Sequence, residues 1–177
     1  IRDRMNPIET TFQRLRQRGQ KGFIPFLTAG DPNLVATREI AKELAQNGAT
    51  ILEIGFPYSD PLADGPIIQA SYTRALERGL RLDDIFATIA KLSVDVPLVA
   101  MVSYSLIQRK GDAAFIERAQ RSGLSGAIVP DLPFDESGEL ERIAAANDFK
   151  LIQLVTPTTP RARAAAIARR STGFLYC

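Results

Sequence analysis

Glu53 lies between Leu52 and Ile54 in a short apolar run, Thr50 to Gly55, with the length, content and glycine end of a β-strand. A carboxylate is out of place there. Acids are seldom buried without a partner, so this one is either paired or kept for its chemistry. If Ile51, Glu53 and Gly55 share one face by the two-residue strand period, the acid points into a barrel or into a helix layer, and both are dry. Desolvation raises a carboxyl pKa, and each unit costs about 1.4 kcal/mol. The plainer alternative is a buried ion pair with a distant Arg or Lys. After the strand, Ser59-Asp60-Pro61 and Ala63-Asp64-Gly65-Pro66 are turn-formers that hang two more carboxylates on a loop. Asp64 taken alone reads equally as an ordinary loop aspartate. Together with Glu53 it makes a pair of carboxyls in different settings, one dry and one on a polar loop, which is how a site holds an acid and a base at one pH.

These acids need elements to position them. Asn6-Pro7 opens a first helix, with Ile8, Phe12 and Leu15 on one stripe and Gly19 as its stop. Gly22 to Leu27 is a first strand, and Thr28-Ala29-Gly30-Asp31-Pro32 a turn. Helices follow over Leu34–Asn47, Ile67–Arg78 and Asp83–Leu92, with the Thr50–Gly55 strand between the first two. Then come strands at Pro97–Val102, Gly126–Val129, Leu151–Val155 and Gly173–Tyr176, separated by helices over Asp112–Ser122, Asp135–Asn147 and Pro160–Arg169.

Six short apolar runs alternating with helices are repeated βα units, so the fold class is α/β with a parallel sheet and helices outside it. Two architectures satisfy this: a closed (β/α)8 TIM barrel of about 250 residues, or an open doubly wound sheet. The turn after strand one has one glycine and a proline in place of a dinucleotide fingerprint, which favours the barrel. The expectation is a single domain over residues 1–177, a truncated barrel of about the first six βα units. Ile1 as a start and the uncovered apolar run Gly173-Phe174-Leu175-Tyr176-Cys177 as an end suggest a segment of a longer protein.

Composition narrows the chemistry. A chain of 177 residues with 45% hydrophobic and 24% charged residues is ordinary globular material. The 22 basic and 20 acidic residues are spread along it, giving a net charge of +2 and no basic stripe for nucleic acid or an anionic membrane. With no histidine and a single cysteine, Cys177, the common zinc and iron sites and any disulfide framework are excluded. Any acid or base is therefore Asp, Glu, Lys or Tyr. No apolar run approaches the roughly 20 residues of a membrane helix, and Ile1-Arg2-Asp3-Arg4-Met5 lacks a signal-peptide core. The expected location is the cytoplasm, or an organelle such as a plastid stroma.

In either architecture the binding face lies beyond the C-terminal ends of the strands. Asp31, Glu53, Asp60, Asp64 and Asp131 collect there. Asp31 reads first as a turn or helix-start residue before Pro32. Asp131, in Val129-Pro130-Asp131-Leu132-Pro133, divides evenly between that reading and function. For Phe26, Ile68 and Tyr176 core packing is the default. Arg161, Arg163, Arg169 and Arg170 read as a solvated helix face, the last two also suiting the negative end of the helix.

The stretch Leu52-Glu53-Ile54-Gly55-Phe56-Pro57-Tyr58-Ser59-Asp60-Pro61-Leu62-Ala63-Asp64-Gly65-Pro66-Ile67-Ile68-Gln69 closely resembles the signature of the tryptophan synthase alpha subunit family. Phe23 to Pro32 and Val129 to Pro133 resemble the same family. The resemblance implies a TIM barrel that cleaves indole-3-glycerol phosphate to indole and glyceraldehyde 3-phosphate by a retro-aldol step. Glu53 and Asp64 fall on the family's two catalytic carboxylates. By matching position Phe26, Ile68 and Tyr176 would line the indole pocket, and Asp131 would contact a mobile loop after strand six. Asp60 and Pro61 would lie near the face that docks a beta subunit in an alpha2beta2 complex. That partner holds pyridoxal phosphate; no metal or cofactor is implied for this chain. Ser103 departs from the pattern, standing where many members carry a pocket aromatic. The phosphate-binding loops after strands seven and eight lie beyond Cys177, so little or no activity is expected of these 177 residues alone. Two alternatives stay open: another phosphate-binding barrel lyase or isomerase, and an inactive barrel fragment or partner-binding subunit.

Overall fold

Asn6 starts the first helix and also ties it to the rest of the molecule. Its side chain accepts from the Ile8 N–H at 3.0 Å as an N-cap, and Pro7 takes the first position of α1 (Pro7–Gln17). Its amide nitrogen donates to the carbonyls of Ser125 at 3.1 Å and Asp148 at 2.7 Å. The helix is thereby strapped across the bottom of the sheet. The computed structural model describes residues 5–61 and 64–177. Ile1 to Arg4, and Leu62 and Ala63 of the long motif, lie outside the described residues.

The strands are β1 (Phe26–Thr28), β2 (Leu52–Gly55), β3 (Leu98–Met101), β4 (Leu124–Ile128), β5 (Lys150–Leu154) and β6 (Leu175–Tyr176). Between them run α2 (Leu34–Gln46), α3 (Pro66–Glu77), α4 (Leu82–Ile89), α5 (Tyr104–Lys110), α6 (Asp112–Ser122), α7 (Gly138–Ala146) and α8 (Arg161–Arg170). All neighbouring strands pair in parallel and in chain order, β1-β2-β3-β4-β5-β6. A doubly wound sheet would reverse order at a switch point. The strictly sequential order makes these six successive βα units of a barrel. Among the described residues no helix is long and apolar enough to cross a membrane.

The two faces of the sheet have separate cores. Leu52, Ile54, Ala100, Ala127 and Leu151 pack outward against the helices with Phe86, Phe115 and Ile116. Ile51, Val99, Met101, Ile128 and Ile152 cluster on the inner face, with Ile8 of α1 beneath them. Burying each such side chain is worth about 1.5–3 kcal/mol, so both layers hold the strands in register. Gly126 makes the lower seat possible. A Cβ there would stand 2.6 Å from the Lys150 carbonyl oxygen and 3.1 Å from the Ile8 side chain.

Three boundaries differ from expectation for physical reasons. The first strand was expected from Gly22, but the ladder engages only from Phe26, because Pro25 has no N–H to donate; its carbonyl still accepts from the Glu53 N–H at 3.0 Å. The helix α5 was not anticipated at all. It is a seven-residue helix of about two turns whose signals were present, Ser103 as N-cap and Arg109 and Lys110 in its last turn. The helix expected over Asp135–Asn147 is a 3-10 turn (Phe134–Glu136) followed by α7. The Ser137 hydroxyl donates back to the Phe134 carbonyl at 2.8 Å and tightens that first turn.

Candidate active site

Glu53 is placed by register. It pairs with Phe26 on one side and Val99 on the other, and its neighbours on the inner face are Ile51 and Gly55. Only 5% of the residue is exposed. Among the described residues no cation offsets this, and burial alone pushes its carboxyl from 4.5 up to about 7. The buried ion pair that sequence left open is therefore absent among the described residues.

Gly55 supplies the space above. A Cβ on it would come within 2.4 Å of the Phe26 ring and 2.9 Å of the Tyr72 hydroxyl. The Phe26 ring thus lies across the end of β2, close over Glu53's strand. Replacing Gly55 by alanine should cost about 1–3 kcal/mol through overpacking. Thermal denaturation of that variant, with the displacement of Phe26 followed by crystallography, checks it.

Asp64 is set at the foot of α3, immediately before its N-cap Gly65. Six hydrogen bonds fix α3 and the turn before it. The Gln69 side-chain amide donates to the carbonyls of Asp64 at 2.8 Å and Pro61 at 3.2 Å. The Asp64 N–H reaches the Pro61 carbonyl at 3.1 Å. Ser71 and Thr28 share a hydrogen bond of 2.7 Å between α3 and β1. Arg74 grips Asp31 with two nitrogens, at 3.0 and 2.6 Å. This last contact settles Asp31 as a structural tie, and the guanidinium holds its carboxyl below the usual range. Burial raises the Asp64 carboxyl above its ordinary value.

Tyr176 on β6 connects the two acids. Burial pushes its phenol up, and the charges of both Glu53 and Asp64 push it further, so both acids lie within electrostatic reach of it. Phe26 and Tyr176 pack on the inner cluster, with Leu154 paired to Tyr176. Ile68 is half-buried on α3, and its carbonyl accepts from the Ser71 hydroxyl at 2.7 Å. Asp60 is exposed and accepts from the Ser59 hydroxyl at 2.7 Å, while Pro61 is half-buried beside it. Tyr58 and Ser59, just before them, line one wall of a cleft of about 600 Å³, with Arg109 and Lys110 of α5 on the other.

Asp131 does something sequence did not suggest. One carboxylate oxygen accepts from the Ser103 hydroxyl at 2.6 Å and the other from the Tyr104 N–H at 2.8 Å. It thereby fastens the loop after β4 to the start of α5. Ser103 is almost fully buried and its hydroxyl is also shared with Ser105 at 2.7 Å, so it serves this network and not an aromatic wall. Sequence also passed over Tyr58 and Tyr72. Burial and the charge of Asp64 raise both phenols, Tyr58 to about 12. Their rings pack at 5.8 Å between centroids.

A buried acid on the inner face of β2 and a second acid at the foot of α3 coincide with a known family. The family model described as tryptophan synthase alpha chain matches residues 12–177. The chain belongs to the tryptophan synthase alpha chain family. The family's member from Rhodopirellula baltica is 46% identical, aligned over 97% of this chain and 64% of its own. The member from Synechocystis sp. is 45% identical over 97% of this chain and 66% of its own. The chain therefore spans just under two-thirds of the length of these relatives. Among solved structures, tryptophan synthase subunit alpha from Legionella pneumophila superposes with a TM-score of 0.93 at 32% identity, covering 98% of this chain and 67% of that one. The alpha-like chain in the tryptophan synthase complex from Pyrococcus furiosus gives 0.85 at 38% identity, over 88% of this chain and 65% of that one. The family's TIM barrel is the fold that the sequential parallel sheet already required.

Proposed function

We propose that this chain carries the acid-base half of an indole-3-glycerol-phosphate lyase, cleaving that substrate to indole and glyceraldehyde 3-phosphate in tryptophan biosynthesis. The observation that carries the reading is Glu53, a carboxyl pushed up to about 7 by burial with no compensating cation among the described residues, with Asp64 and Glu53 both within electrostatic reach of Tyr176. A retro-aldol cleavage needs a proton delivered to C3 of the indole ring and a proton removed from the adjacent side-chain hydroxyl. Glu53 enters protonated and gives its proton to C3, which places positive charge on the ring nitrogen. The Asp64 carboxylate accepts the N1–H hydrogen bond and stabilises that charge. Glu53, now ionised, takes the hydroxyl proton as the bond from C3 to the side-chain carbon breaks. The electron pair returns to the ring, the side chain leaves as the aldehyde, and Glu53 ends as it began. Phe26, Ile68 and Tyr176 would hold the indole ring, with Ile128 and Leu154 completing the apolar floor.

Family membership supports a beta subunit as partner, since the Pyrococcus furiosus relative was solved as a tryptophan synthase complex. The β2–α3 loop, with Asp60, Pro61 and the cleft toward Arg109, is the surface we assign to it.

The test is an assay of the full protein with indole-3-glycerol phosphate across pH. Activity needs Glu53 protonated and Asp64 ionised. Turnover should therefore rise with pH as Asp64 loses its proton, above the ordinary carboxylate value, and fall again near pH 7 as Glu53 does. Indole and the aldehyde should appear in equal amounts. Absence of both, or a profile flat from pH 5 to 9, would overturn the assignment.

A further inference from the structure

Alternate residues of β5 turn their backbone groups to β4 and to β6, so Leu151, Gln153 and Val155 present their N–H groups on the β6 side. The Val155 N–H donates to the Tyr176 carbonyl at 2.9 Å. The other two end on side-chain hydroxyls. The Gln153 N–H donates to Ser171 Oγ at 2.9 Å, and the Leu151 N–H to Thr172 Oγ1 at 2.8 Å. The Thr172 hydroxyl donates in turn to the Leu151 carbonyl at 3.1 Å, and the Ser171 hydroxyl to the Phe174 carbonyl. Both residues come before β6, and they occupy its place on the ladder until the strand begins.

The residues on either side of this pair are anchored too. The Arg170 guanidinium lies 4.1 Å from the centre of the Phe134 ring, and its Nε donates to Glu141 at 2.8 Å. Glu141 also accepts from the Gln153 side-chain amide at 2.8 Å, so one carboxylate of α7 ties β5 to the end of α8. Gly173 turns the chain with a φ of +78°, and a Cβ there would stand 3.2 Å from the Ile8 side chain and 3.3 Å from that of Lys150. Three consecutive side chains and a glycine fix the chain just ahead of β6.

What they fix is a strand of two residues. It pairs Gln153 with Leu175 and Leu154 with Tyr176, a ladder too short to choose its own register. Side chains alternate between faces, so a slip of one residue would put Leu175 where Tyr176 now stands. In the register found, Phe174 and Tyr176 join Leu154 on the inner cluster, while Leu175 falls beside Gln153 on the helix side.

We propose that Ser171 and Thr172 are positioning residues, their hydroxyls setting the register of β6 so that Tyr176 and not Leu175 faces the substrate. The role rests on the lyase reading, in which Tyr176 holds the indole ring. A pocket wall touches the ring in ground state and transition state alike, so its displacement is felt in KM.

The variant to test is Ser171→Ala with Thr172→Val in the full protein, which removes both hydroxyls at nearly constant size. With indole-3-glycerol phosphate as substrate, KM should rise about fivefold with kcat changed less than twofold. Thr172→Ser alone keeps a hydroxyl and should keep the parent KM. A second readout does not depend on the reaction: in carbon-13 NMR of labelled tyrosine rings the Tyr176 signal should move in the double variant and stay in Thr172→Ser. Should the double variant not fold, Thr172→Val alone is read in the same way, with a smaller change in the same direction. A lowered melting temperature with KM and the Tyr176 signal unchanged would overturn the proposal, since the hydroxyls would then serve stability alone. So would a raised KM with an unmoved Tyr176 signal. If the parent does not cleave the substrate but the Tyr176 signal moves, the lyase reading fails while the register role stands.

Discussion

Replacing Glu53 by glutamine in the full protein should lower indole release by about a thousandfold or more while leaving the fold intact. The expectation follows from one residue serving two proton transfers. A positioned acid or base contributes about 10²–10⁴ in rate, and glutamine removes both functions from the same position at nearly constant size. The strand neighbours of Glu53, namely Phe26, Ile51, Val99 and Gly55, carry no acid or base that could take over. Asp64, at the foot of α3, is the residue we assign to the ring nitrogen and not to C3. The measurement is indole formed per enzyme at saturating substrate, with circular dichroism confirming the helices. Turnover within tenfold of the parent would remove Glu53 from the chemistry.

The same substitution should stabilise the protein, but only at high pH. The carboxyl titrates at about 7 in the folded chain, against the ordinary 4.5 that the unfolded chain has. Below pH 4 both forms carry the proton and Glu53 contributes no difference. As pH rises from 4.5 to 7 the unfolded carboxyl has given up its proton while the folded one retains it, so unfolding becomes easier. The penalty is complete above pH 7 and amounts to about 3 kcal/mol, from about 1.4 kcal/mol for each unit of the shift. Glutamine never ionises and escapes it. The melting temperatures of parent and variant should therefore coincide at pH 4 and separate by on the order of 5–10 °C at pH 8. A gap that did not change with pH would point to a packing effect of the amide instead. Gain of stability with loss of turnover in one variant is the expected mark of a group kept in an unfavourable place for its chemistry.

The residues that were legible in the sequence are those whose oddity is local. Glu53 stands out because its own neighbours are apolar, and the βα alternation because each unit is punctuated by glycine or proline. What was not legible depends on contacts across long stretches of chain. Tyr72 reads as one more aromatic on a helix until the tilt of α3 is known, and that tilt is set by Arg74 on Asp31 and Ser71 on Thr28, both 43 residues away. Asp131 could be weighed as turn or site, but its grip on Ser103 and Tyr104, 28 and 27 residues earlier, needed the β3 and β4 ends brought side by side. Whether Glu53 had a cation was equally a matter of the fold. The resemblance to the family pointed to Glu53 and Asp64 but could not show that Tyr58 and Tyr72 lie within electrostatic reach of the second of them.

Asn6 also says something about time. Its amide grips carbonyls 119 and 142 residues further along, on the segments that lead into β4 and β5. The seat it secures for Ile8 needs Gly126 and Ile152 already side by side. Helix α1 is made before all six strands, yet it has nowhere to dock until about three-quarters of these residues have followed it and the fifth strand has paired. A helix made before its seat exists has to wait, and until then its apolar stripe is uncovered.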